Sequence, residues 1–223
     1  MTPRLDTPIE LQTAANPTAA VIWLHGLGAD GSDFAGITPE LGLPASAAVR
    51  FVFPHAPMRP VTINGGYVMR AWYDIAQTPG GFVQNAEDVA ESVGILHHFI
   101  ERERERGIPA DRIVIGGFSQ GGAIAIHGAL RYTQRLAGAV ILSAPVPYLD
   151  DLIAATSPAN ADLPLFWAHG RYDPVVPFAY GEASYQRLRS GRHTIEWHAY
   201  NLEHNVDLTE LRDIGRFLTK VLG

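Results

Sequence analysis

The sequence predicts an α/β fold, a mostly parallel central sheet with helices on both faces, in one domain over residues 1–223. Three observations predict it. Wholly apolar runs recur at Ala19–Leu24, Ile113–Ile115, Ala137–Leu142 and Leu163–Ala168, and helix-patterned segments separate them. Parallel strands buried on both faces read as continuous apolar runs of this kind. Arg112 to Ile126 compresses a strand, a Gly-rich turn and a helix start into one stretch. Finally, His25-Gly26, Ser119, Asp173 and His204 all fall directly after predicted strands, where ligands bind in such sheets.

Composition bounds the alternatives. The chain has 223 residues, 47% hydrophobic and 18% charged, an ordinary globular balance with enough apolar material for a sizeable core. A net charge of −6 argues against nucleic acid or an anionic membrane as partner. The absence of cysteine excludes disulfides, thiolate metal sites and a cysteine nucleophile. Met1–Asp6 carry no apolar stretch and no run reaches transmembrane length, so a cytoplasmic location without membrane insertion is expected.

Each element follows from local chemistry. Residues 1–18 are polar with three prolines, a loop with an edge strand near Ile9–Gln12. Ala19–Leu24 is a buried strand running into the Gly-rich loop His25-Gly26-Leu27-Gly28. A helix is expected from about Asp33 to Leu41, with Ser32 as N-cap. Arg50–Phe53 is the next strand. The connection Pro54 to Gln84 is long, aromatic and proline-rich; it reads as a wall of the substrate site or as a surface excursion tied down by Trp72. Asn85–Arg106 is a helix. Ala86, Val89, Val93, Leu96 and Ile100 form its apolar stripe, Asn85 caps it and Gly107 ends it. Its last turns, Glu101 to Arg106, alternate in charge and read as a solvated, self-paired face. After the Ser119 turn and its helix come the strand Ala137–Leu142 and a connection over 143–162 with room for one short helix, so no large cap is expected. Leu163–Ala168 is a strand, Phe178–Arg189 a helix, Thr194–Tyr200 an alternating edge strand, and Asp207–Val221 the last helix.

The chemistry centres on Gly117-Phe118-Ser119-Gln120-Gly121, a G-x-S-x-G between strand and helix. Small neighbours let strand and helix approach closely, and the helix aims unpaired N–H groups at the turn. The bland alternative is a Gly-rich turn whose serine only caps the helix. A serine nucleophile needs a histidine base, and the histidine needs a carboxylate to fix its tautomer. In a sheet of this kind the three follow in the order serine, acid, histidine. Beyond Asp173 lie only His193, His198 and His204, and only His204 sits in a loop past a strand's C-terminal end. Asp150, Asp151 and Asp162 are less well placed than Asp173, and His25 reads as a residue that fixes its own loop.

The chain resembles the phospholipase/carboxylesterase family of α/β-hydrolases, which includes bacterial carboxylesterases and acyl-protein thioesterases. The resemblance rests on Leu24-His25-Gly26-Leu27-Gly28, Pro54-His55-Ala56-Pro57 with Pro60-Val61-Thr62, Trp72-Tyr73-Asp74-Ile75, Gly116 to Gly122, and His169-Gly170 with Asp173 to Pro177. It implies Ser119 as nucleophile, Asp173 as acid, His204 as base, and the N–H groups of Leu27 and Gln120 as an oxyanion hole. It implies no metal or cofactor, a small acyl ester or thioester substrate, and a monomer or homodimer. Short to medium acyl esters are the expected substrates, with acyl-protein thioesterase or lysophospholipase activity as the alternative and a non-catalytic binding protein as a remote one. Trp72, Phe118, Val176 and Leu27 are expected to line the acyl site. The family often has Gly and Met ahead of the histidine, where this chain has Asn201-Leu202-Glu203.

Overall fold

A computed structural model describes residues 5–79, 81–191 and 193–223. The edge strand β1 (Ile9–Gln12) precedes β2 (Ala19–Leu24), every residue of which is buried. The helix expected over Asp33–Leu41 forms as two short pieces, α1 (Ser32–Ala35) and a 3-10 turn (Thr38–Leu41). Gly36 separates them, and Pro39 has no N–H to carry a helix through. Ser32 is not the cap; Asp30 Oδ1 accepts its N–H at 2.7 Å.

After β3 (Val49–Phe53), the long connection is built of two hairpins. β4 (Met58–Val61) pairs antiparallel with β5 (Tyr67–Arg70), and β6 (Ile75–Thr78) with β7 (Gly81–Gln84). Gly65 and Gly66, at φ of 67° and 78°, take the left-handed backbone that the first turn requires. Helix α2 (Ala86–Glu105) is capped by Asn85, whose Oδ1 accepts from the N–H groups of Glu87 and Asp88. Val89, Val93, Leu96 and Ile100 are buried as the stripe predicts, whereas Ala86 is exposed.

The Glu–Arg run at the end of α2 pairs with itself as expected, but it is not simply a solvated face. Glu103 is fully buried and accepts from Arg50 of β3 at 2.6 Å, and Arg102 and Arg106 both pair with Glu10 of β1. Glu101–Arg104 and Glu103–Arg106 are local pairs within the run. The run clamps the edge strand β1 and its neighbour β3 to the helix.

The remaining elements alternate as expected: β8 (Ile113–Phe118), α3 (Gln120–Arg131), β9 (Gly138–Leu142), α4 (Leu149–Ala154), β10 (Leu165–Gly170), α5 (Phe178–Arg189), β11 (Ile195–Tyr200) and α6 (Leu208–Leu222). Residues 143–162 contribute only α4 and a 3-10 turn at Pro158–Asn160. The sheet order is β1-β3-β2-β8-β9-β10-β11, with β1 antiparallel to β3 and the other neighbours parallel. One face is covered by α2 and α3, through Leu96, Ile100, Ile124 and Ala125. The other is covered by α6, through Leu211, Ile214, Phe217 and Leu218. The chain leaves β2 toward β3 on one side and returns with β8 on the other. This reversal of strand order places the loops after β2 and β8 side by side, where Leu24 lies opposite Gly117.

Candidate active site

Ser119 stands alone between β8 and α3, at φ 54° and ψ −121°. A non-glycine residue in that region is strained, and the surrounding structure must hold it there. The glycines around it explain how. A Cβ on Gly117 would stand 2.4 Å from the Gly121 carbonyl oxygen, and one on Gly121 would stand 2.3 Å from that of Leu24. Gly122 is equally constrained, 2.7 Å from the Ala144 Cβ. Strand, elbow and helix therefore meet at a distance that only glycine allows.

His204 bridges Ser119 and Asp173. Its Nε2 lies 2.9 Å from Ser119 Oγ and its Nδ1 lies 2.7 Å from Asp173 Oδ2. The carboxylate accepts the Nδ1 proton, which leaves Nε2 bare to accept the serine O–H. Asp173 is itself held. Its side chain is fully buried, and Oδ1 accepts the N–H groups of Val175 and Val176, both at 2.8 Å. Phe118 is half-buried with its ring 4.6 Å from the His204 imidazole, so it flanks that side chain.

Backbone contacts set the reach of His204. A Cβ on Gly170 would stand 2.3 Å from the Glu203 carbonyl oxygen and 2.5 Å from that of Leu202. The bare glycine at the end of β10 lets the loop after β11 cross directly over it. Tyr172 N–H then donates to the Leu202 carbonyl at 3.0 Å, and Arg171 N–H to that of Tyr200 at 2.8 Å. With Asn201-Leu202-Glu203 ahead of it, the histidine is still in reach of Ser119. Gly170 is a residue the sequence reading missed, although the His169-Gly170 pair signals it.

The loop after β2 lies against the serine: a Cβ on Gly26 would stand 3.6 Å from the Ser119 Cβ. Leu27 follows, half-buried, and Gly28 N–H donates to the Arg70 carbonyl of β5 at 2.9 Å. Gln120 opens α3, so its N–H has no helical acceptor behind it. His25 fixes this loop, as expected. Its ring is buried, with Nδ1 2.7 Å from the Gly26 carbonyl and Nε2 accepting the Ala56 N–H at 3.0 Å. Burial pushes its pKa down to about 4, against a smaller opposing effect of the Gly26 hydrogen bond. A neutral imidazole with both nitrogens engaged is a structural group and not a base.

Two expected lining residues are placed otherwise. Trp72 is fully buried and presents no face to a ligand. Val176 is 8% exposed and contributes its N–H to Asp173 and its carbonyl to His169 Nε2. His169 lies behind Asp173, 3.6 Å from its Oδ2, and burial lowers its pKa.

The family model described as phospholipase/carboxylesterase matches residues 9–222. The chain belongs to the phospholipase/carboxylesterase family. Among its relatives, a Yarrowia lipolytica protein named acyl-protein thioesterase 1 is 37% identical over 215 residues, covering 94% of this chain and 95% of that protein. A Neurospora crassa protein of the same name is 37% identical over 225 residues, with 96% and 91% covered. Among solved structures, Arabidopsis thaliana SOBER1 superposes with a TM-score of 0.85 at 32% identity, covering 92% of this chain and 99% of that one. The α/β-hydrolase fold expected from the phospholipase/carboxylesterase resemblance is thus the observed one.

Proposed function

We propose that this chain is a serine hydrolase of acyl thioesters, with Ser119 as nucleophile, His204 as general base and acid, and Asp173 as its orienting carboxylate. The observation that carries the reading is the placement of His204 within hydrogen-bond reach of both partners, 2.9 Å and 2.7 Å away. Ser119 Oγ attacks the acyl carbonyl as its proton passes to His204 Nε2. The developing oxyanion is held by the N–H groups of Leu27 and Gln120; one such donor is worth roughly 3–4 kcal/mol in other acyl-transfer enzymes. His204 then gives its proton to the leaving thiolate. Water attacks the acyl-enzyme by the same route and releases the acid.

The preference for thioesters rests on the names of the relatives, acyl-protein thioesterases matched over nearly the whole chain. This ranks above the hydrolysis of short to medium oxygen esters first expected from the sequence. That second reading keeps one observation in its favour: residues 143–162 add only α4 and a 3-10 turn, too little for a large cap.

The test is kcat/KM across acyl thioesters and matched p-nitrophenyl esters from acetyl to palmitoyl, with Ser119→Ala as the blank. Thioesters are expected to be preferred, and Ser119→Ala to lose nearly all turnover, as nucleophile removal costs about 10⁶-fold in a comparable triad. A peak at short oxygen esters would favour the second reading, and a Ser119→Ala variant with wild-type rates would overturn both.

A further inference from the structure

We infer that Trp72 is a positioning residue that braces the two halves of the oxyanion hole against each other. The inference rests on the proposed roles of Ser119, Leu27 and Gln120. The two donors sit on different elements. Leu27 lies on the loop after β2 and Gln120 on the first turn of α3, and no covalent path shorter than 90 residues joins them. An oxyanion hole works only if both N–H groups point at one place before the charge develops. Something must therefore fix one element to the other.

Trp72 touches both. Its backbone N–H donates to Gln120 Oε1 at 2.7 Å, and its indole Nε1–H donates to the His25 carbonyl at 2.9 Å. The Gln120 amide closes the first contact from the other side, with Nε2 donating to the Tyr73 carbonyl at 2.7 Å. Gln120 thus clips the Trp72-Tyr73 backbone with both ends of its side chain. His25 in turn accepts from Ala56 and engages the Gly26 carbonyl, so the bond at its own carbonyl steers the segment that leads into Leu27. The indole also packs on the His25 ring, 5.3 Å between centroids. Behind all this, Ser92 of α2 donates its hydroxyl to the Trp72 carbonyl.

Burial makes the brace stiff. Trp72, Tyr73 and Ser92 are fully buried, and His25 and Gln120 nearly so. Buried hydrogen bonds of this kind have no water to exchange with, so breaking one leaves an unpaired polar group. The role differs from lining a pocket in a measurable way. A wall residue sets how well the substrate binds, whereas a brace sets how well the tetrahedral state is held and leaves ground-state binding alone.

Trp72→Phe separates the two, because it keeps an aromatic ring in the core and removes the indole donor; the volume lost with the fused ring is read separately, as a lower melting temperature. Outright loss of an oxyanion donor costs roughly 10²–10³-fold in kcat, and a misaligned one is expected to cost about 10-fold or more. We expect kcat to fall by that factor with KM within about twofold, and the affinity of a tetrahedral alkylboronic acid to fall in parallel. End-point titration with a fluorophosphonate probe counts the sites with a reactive Ser119, and circular dichroism reads the fold. Gln120→Met, which deletes the clip and keeps the backbone donor, is expected to give the same split and serves if Trp72→Phe does not fold. A variant that melts lower but keeps wild-type kcat and boronate affinity would overturn the inference, as would a raised KM at unchanged kcat. An active Ser119→Ala enzyme would instead remove the reading on which the inference stands.

Discussion

At the scale of single residues, the site depends on atoms that are missing. Gly170 carries no Cβ, and the carbonyls of Leu202 and Glu203 occupy the space one would take. Gly170→Ala must push the His204 loop away from β10, because both obstructing atoms are backbone. A displacement near 1 Å at a reacting group costs on the order of 10²-fold. The expected outcome is a loss of kcat/KM of that size with a melting temperature only a few degrees lower, read from steady-state kinetics and a thermal melt on the same preparation. The meeting of Ser119, Asp173 and His204 was legible in the sequence, because their chain order and their positions after strands are local signals. Trp72 was misplaced for a physical reason. An aromatic residue in a long loop looks the same whether it lines a cavity or braces a wall, and its partners Gln120 and His25 lie 48 and 47 positions away.

Elements were legible where one face decides them. β2, β9 and β10 are buried throughout and read as continuous apolar runs. The 54–84 connection hid its hairpins, because most of β4 to β7 is exposed or half-buried and leaves no apolar period. The end of α2 was misread because charges alternating at i,i+3 look alike whether they face water or a sheet edge. Glu103 faces the edge, fully buried, and Arg50 is nearly so. Removing one partner of a buried pair leaves the other charge uncompensated, at a cost of about 3–5 kcal/mol. Glu103→Leu should lower stability by that amount in urea unfolding, and Arg50→Met in the same chain should restore much of it. Arg50 sits at the start of β3, away from the strand ends that carry Ser119, so kcat is expected to stay within about twofold of wild type in the double variant.

Over the whole molecule, buried titratable groups are expected to give stability a maximum in pH. His25 and His127 are each pushed down to about 4, burial being the largest cause for both, with Arg131 next for His127. Between about pH 4 and 6.5 the unfolded chain therefore binds protons that the folded chain refuses, and stability rises with pH. Glu210 acts in the opposite direction. It lies in the first turn of α6, 2% exposed, and burial, helped by Asp207, pushes its carboxyl up to about 8. From about 4.5 to 8 the folded state holds a proton that the unfolded state has released, so this group makes stability fall as pH rises. Each shift is worth at most a few kcal/mol at about 1.4 kcal/mol per unit. His25 and His127, joined in the same direction by His169, His193 and His198, whose pKa values burial also lowers, oppose one carboxyl below pH 6.5, and above it Glu210 acts without them. The melting temperature should climb from pH 5, peak near pH 6.5 and decline toward pH 8.5. Glu210→Gln keeps the side-chain size and removes the titration, so the alkaline decline should flatten while the acid limb remains. An unchanged decline in that variant would place its cause in another group. A profile that falls steadily from pH 5 would mean that His25 and His127 titrate in the folded chain much as they do in the unfolded one.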